Sequence, residues 1–154
     1  MIEGIWIVAF LNLLPTTEQI GGITVGLALG LNPLLVLFVS LTINCVLFFP
    51  VYFGLEAFHE RALSKIKLLK RYLERMRKKA KPYVDKYGVL GLTLFIALPT
   101  PLTGTYTVSA LSWFLGLDWK RSFLAIILGS SIGALIIFLS YFGVFYALKA
   151  LIGG

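Results

Sequence analysis

The chain has 154 residues, 58% of them hydrophobic and 14% charged, with a mean hydropathy of +0.90. Soluble domains average about 45–50% apolar and about 25% charged residues, which leaves little room here for a soluble enzyme and none for a disordered chain. The formal net charge of +7 is confined to the stretch from Glu56 to Lys86, so two nearly uncharged blocks flank one basic segment, as in a small integral membrane protein with a charged loop.

The first apolar run, residues 5–14, has no basic residues ahead of it and reads as part of the mature fold, not as a cleaved leader. Residues 20–31 form a second short run, and Pro15-Thr16-Thr17-Glu18-Gln19 links the two. At 1.5 Å per residue, such runs reach at most about 18 Å into a hydrocarbon core of roughly 30 Å. Two half-length helices around a polar, proline-containing tip predict a re-entrant hairpin; two tilted, kinked spans are the alternative. Thr16 as N-cap with Gln19 three residues on fits a capping box, so the second half-helix is expected to start at the tip with its free N–H groups aimed at mid-membrane. Glu18 is the one acidic residue placed at membrane depth, where an ionisable group is a functional candidate because its burial is expensive. It either carries a coupling proton, binds a cation, titrates as substrate enters, or simply stabilises its own helix start. Gly22, Gly26 and Gly30 recur every four residues, a strip that lets helix backbones approach closely.

Residues 34–53 are a charge-free stretch long enough to span. Asn44 lies within it and bonds either a hairpin tip or a neighbouring helix. Cys45, the only cysteine, reads as a small packed hydrophobe and excludes an intrachain disulfide or a thiolate cluster. In the basic segment, residues 61–86, Ala62, Ile66, Leu69, Leu73, Met76 and Ala80 form one stripe of a single long helix that Pro82 and Gly88 are expected to end. Its basic face, with Lys70, Arg71, Arg75, Lys78 and Lys79, suits anionic lipid headgroups. The heptad spacing of the stripe also allows a seam between two copies, hence a homodimer. The positive-inside rule accounts for the charge, so nucleic acid is not expected as a partner. His59 is the sole histidine, no phosphate-binding glycine loop is present, and no base adjoins the serines and threonines; neither catalytic residues, a metal site nor a cofactor other than a coupling proton is expected.

The second block repeats the plan. Residues 89–98 and 108–117 flank the tip Pro99-Thr100-Pro101-Leu102-Thr103-Gly104-Thr105, and residues 122–148 form the second full span. Thr103 and Thr105 are placed to cap a half-helix beginning near Gly104, while Pro15, Pro99 and Pro101 bring no N–H groups that need partners. Two helix N-termini converging from opposite faces would favour an anionic group. Small residues at Gly129-Ser130-Ser131-Ile132-Gly133 suit close packing. The two blocks align: Phe10–Pro15 with Phe95–Pro99, Gly30-Leu31-Asn32 with Gly116-Leu117-Asp118, and Tyr52-Phe53-Gly54 with Tyr141-Phe142-Gly143. With the basic segment in the cytoplasm, both termini fall outside and the two units are inverted. The predicted fold is an all-α integral membrane domain: repeat 1 (1–54) and repeat 2 (88–154), each a re-entrant hairpin plus one full transmembrane helix, joined by a basic amphipathic cytoplasmic helix (55–87).

The stretch Phe95-Ile96-Ala97-Leu98-Pro99-Thr100-Pro101-Leu102-Thr103-Gly104-Thr105 resembles the Leu-Pro-x-Pro-x-Thr-Gly motif of the small multidrug export protein family, and Pro15-Thr16-Thr17-Glu18 resembles that family's first Pro–Glu motif. The family is grouped with the broader DedA/VTT membrane proteins, which share paired re-entrant hairpins and include lipid flippases and scramblases. The arginines that DedA-type proteins carry around the second tip are absent here. The resemblance implies a transport protein of a prokaryotic cell membrane, multi-pass, with membrane lipids as partners. Three functions follow as expectations. The first is a transporter of a small molecule or amphiphile, worked by alternating access at facing tips built from Thr16, Thr17, Glu18, Gln19, Asn44, Pro99, Thr100, Thr103, Gly104 and Thr105. The second is a flippase or scramblase of an anionic polyprenyl-phosphate or phospholipid, and the third a membrane scaffold.

Overall fold

A computed structural model describes residues 2–57, 67–97 and 104–153. Among these residues the regular structure is entirely helical: α1 (Ile2–Leu13), α2 (Glu18–Ala28), α3 (Pro33–Ala57), α4 (Lys67–Tyr87), α5 (Val89–Ala97), α6 (Thr105–Phe114) and α7 (Trp119–Gly153). Two of them, α3 with 25 residues and α7 over Trp119–Leu151, are long and apolar enough to cross a bilayer. The short helices α1, α2, α5 and α6 have 12, 11, 9 and 10 residues and fall well under that length. These lengths follow the sequence expectation closely, with both long helices extending a few residues beyond the charge-free runs.

The turn into each long helix is built twice in the same way. Gly30 (φ +69°) and Gly116 (φ +66°) end α2 and α6 in the left-handed conformation that favours glycine. Gly30 N–H donates to the Leu27 carbonyl and Leu31 N–H to that of Gly26; Gly116 N–H donates to Trp113 and Leu117 N–H to Ser112. Both are Schellman caps. Gly30 therefore serves as a helix stop and not as part of the packing strip; nothing lies within 4 Å of a Cβ built there. Two residues on, Asn32 Oδ1 accepts from the N–H groups of Leu34 and Leu35, and Asp118 Oδ1 from those of Lys120 and Arg121. These are matching N-caps at an offset of 86 residues. Asn32→Ala and Asp118→Ala should each lower stability by about 1 kcal/mol, read as a shift in thermal or dodecyl-sulfate unfolding of the detergent-solubilised protein.

The long helices run antiparallel. Phe53 meets Trp119 at 6.0 Å between ring centres and Phe48 meets Phe123 at 5.6 Å, while Val36, near the other end of α3, shares a cluster with Ala134 and Ile137 of α7. Both α2 and α6 pack against both long helices. Small residues make this possible. A Cβ on Gly26 would fall 2.8 Å from the side chains of Val8 and Val36, and one on Gly129 2.6 Å from Ile96.

Helix α4 departs from expectation at Pro82 and ends at Gly88 as expected. Pro82 lies inside the helix, which runs on to Tyr87 and stops at Gly88 (φ +57°). The stop is set by the left-handed glycine and by α5, which sits so close that a Cβ on Gly91 would overlap the Tyr83 carbonyl. From the apolar stripe, Met76 is 2% exposed and packs on Leu111 and Leu115 of α6 in the same chain. Arg77 lies over the Phe114 ring at 5.7 Å, holding α4 to α6. Ala62 and Ile66 lie outside the described residues.

Candidate functional site

Two apolar clusters divide the interior. One gathers Phe48, Tyr52, Leu92, Ile96, Val108, Ala125 and Ile126, the other Val8, Ile23, Leu27, Val36, Ala134 and Ile137. Between them on α3 lie Ser40 and Asn44, and on α7 Ser130, all at most 1% exposed. Asn44 stands eleven residues from the start of α3, and Ser130 eleven from the start of α7. At 1.5 Å per residue both lie about 16 Å along, close to half of a 30 Å hydrocarbon core.

The link between α1 and α2 enters this polar layer. Thr17 Oγ1 donates to the Leu11 carbonyl at 2.7 Å and Glu18 N–H to that of Leu14 at 2.9 Å, closing a tight turn. Glu18 then takes φ of 39°, a left-handed conformation that a glutamate adopts only when its surroundings impose it. The result aims its carboxylate at the start of α6. Glu18 Oε2 accepts the Thr105 N–H at 2.7 Å. Glu18 is 9% and Thr105 1% exposed. A carboxylate here satisfies an N–H group that a helix start otherwise leaves open and complements the positive end of the helix dipole. Gly104 makes the approach possible, because a Cβ there would overlap the carboxylate.

Further bonds seat the tip. Tyr106 Oη donates to the Leu13 carbonyl at 2.6 Å, and Gln19 Nε2 to that of Ser130 at 2.9 Å. Asn12 Nδ2 donates to the Val8 carbonyl and to Ser40 Oγ, and a Cβ on Gly22 would overlap the Asn12 amide. Glu18 and Gly104, in contact here, stand 86 residues apart, the same spacing as Asn32 and Asp118.

The expected capping box at Thr16 is not formed. Thr16 is exposed, Thr17 takes the N-cap position without a side-chain cap, and Gln19 reaches across to α7 instead of back to the turn. Thr105 caps nothing at its own helix start: Gly104 is the N-cap residue and the cap comes from Glu18. Asn44 is buried at the right depth but bonds neither tip among the described residues, and its Oδ1 has no partner there. Pro99, Thr100 and Thr103 lie outside the described residues. On α4, Arg71, Arg75, Lys78 and Lys79 are exposed, and the Lys70 side chain lies outside the described set. Asn12, Tyr106 and Ser130 were not singled out as site residues. Asn12 carried a signal, an amide inside a ten-residue apolar run; Ser130 contributes only its backbone carbonyl, which no sequence pattern marks.

A family model described as "Putative small multi-drug export protein" matches residues 18–136. No curated protein and no solved structure matches the chain.

Proposed function

The chain belongs to the small multi-drug export protein family, and from that premise we propose that it is a membrane transporter working by alternating access where the two tips meet. The observation that carries this reading is the buried contact of the Glu18 carboxylate with the Thr105 N–H, next to Gln19, whose amide bonds the Ser130 carbonyl inside α7, one of the two helices able to cross the bilayer. An ionisable group at that depth is where transport proteins place a coupling proton, and a contact between the two halves there is broken and remade as they rock. The two halves are then inverted repeats, each a re-entrant hairpin plus one span. The antiparallel α3 and α7, the duplicated turns and the half-length helices support this arrangement. The basic α4 orients it, with residues 55–87 in the cytoplasm and both termini outside.

The anion site expected between two free helix starts is occupied at α6 by the chain's own carboxylate, so an anionic substrate would have to displace Glu18. A second reading, translocation of an anionic lipid, is favoured by the exposed Arg71, Arg75, Lys78 and Lys79 on α4, which would gather headgroups at the inner face.

Reconstitution separates the two. Proteoliposomes under an imposed pH gradient should move dyes from a neutral, cationic and anionic panel faster than empty liposomes do, and a protonophore should stop the movement. No movement above empty liposomes overturns transport of small molecules, and movement that survives the protonophore overturns proton coupling. Dithionite quenching of labelled phospholipid in the same vesicles reads lipid translocation.

A further inference from the structure

We infer that the cavity between α2 and α7 is a binding site for an uncharged lipophilic molecule bearing a hydrogen-bonding group such as an amide, ester or ketone. This inference rests on the transporter reading for its biological sense, though not for its chemistry. The cavity measures about 470 Å³, comparable in volume to drug-sized ligand pockets of about 300–1,000 Å³, and is an open groove along the outer face of α7, where Ile136, Val144 and Phe145 stay exposed. Ile20 of α2 and Ile136, Ile137, Val144 and Phe145 of α7 give it apolar walls, and no charged side chain lines it. Its inner end at Ile20 adjoins Glu18 and Gln19.

Three hydroxyls open into the cavity, those of Thr24, Ser140 and Tyr141. Among the described residues none of the three has a hydrogen-bond partner, and Thr24 and Ser140 differ in this from Thr42 and Ser131, the other exposed serine and threonine side chains on the described helices. Thr42 donates to the Phe38 carbonyl and Ser131 to that of Ile127, each turning back one turn. In hydrocarbon an unpaired hydroxyl is costly, so that back-bond is the default. Three neighbouring hydroxyls without it mark a place where a partner comes from outside the chain. A lipid acyl chain offers none along its length, whereas a polar lipophile does.

The internal repeat supplies a second, independent argument. In the corresponding seam between α3 and α6, Tyr52 is 8% exposed and its hydroxyl donates to the Leu117 carbonyl at 2.7 Å, over packed Phe48 and Val108. Tyr141 and Leu31 stand at the matching positions of the other half, and the equivalent bond is not made. One seam is closed by a tyrosine, and its copy is left open around a cavity that a ligand can fill.

The test is equilibrium binding of Nile red, a neutral dye with a carbonyl acceptor, to the full chain in phospholipid nanodiscs. Saturable blue-shifted emission above empty nanodiscs is expected. Ile20→Trp, which fills the cavity, should weaken binding at least tenfold. Thr24→Val with Ser140→Ala, which keeps the shape, should weaken it roughly three- to tenfold for each hydroxyl bond lost. Leu128→Trp, on the exposed face of α7, should leave it unchanged. Absence of saturable binding, or equal affinity in all variants, overturns the site and leaves the cavity to bulk lipid. Cavity-dependent binding by a protein that moves no dye across proteoliposomes upholds the site and removes the transporter reading. Dye movement indifferent to Ile20→Trp does the reverse.

Discussion

Gly104→Ala is expected to abolish transport in proteoliposomes and to destabilise the detergent-solubilised protein by about 1–3 kcal/mol. The added methyl group has nowhere to go: it lands on the Glu18 carboxylate, itself held by the Thr105 N–H and buried at the centre of the molecule. The flexible end of a glutamate can move aside, but here moving aside removes the acceptor from the first N–H of α6 and parts the two tips. The interaction is therefore directional, and a double variant exposes it. Glu18→Ala combined with Gly104→Ala restores space, so its stability loss should be smaller than the sum of the two single losses by about 0.5–3 kcal/mol. A Gly104→Ala protein that melts and transports like the original would show that the tips need not meet.

Glu18→Gln should retain the fold and lose transport driven by a pH gradient. The amide oxygen still accepts the Thr105 N–H, so the cap survives, but the side chain no longer takes up and releases a proton. Glu18→Ala removes both. It leaves the buried Thr105 N–H open, with a stability loss of about 1–3 kcal/mol in addition to the loss of transport. The pair separates capping from coupling. If Glu18→Gln moves substrate at the original rate, the carboxylate is a cap and nothing more.

Much of this architecture is legible in the sequence because it rests on length and on local chemistry. A bilayer demands about 20 apolar residues, and only two stretches supply them. Gly-Leu-Asn at 30–32 and Gly-Leu-Asp at 116–118 spell the same stop and restart, and the turns prove identical bond for bond. The details of the tips were less readable, since local patterns there compete with partners far away in sequence. Thr16-Thr17-Glu18-Gln19 has the spacing of a capping box, yet Gln19 finds a carbonyl 111 residues on and Glu18 a helix start 87 residues on. A buried amide or carboxylate takes the partner that the packing brings to it, and the packing of α2 between α3 and α7 is a property of the whole chain. Pro82 shows the converse. A proline normally ends a helix, but at that position α4 continues and a left-handed glycine six residues later does the stopping.

The span of 87 residues between Glu18 and Thr105 also bears on how the molecule is made. Glu18 is synthesised before Thr105, so its carboxylate lacks this donor until α6 has been made. Closure at the centre is thus a late step that waits for the second half. Until it occurs, the Glu18 carboxylate and the Thr105 N–H each lack the partner they hold in the finished protein.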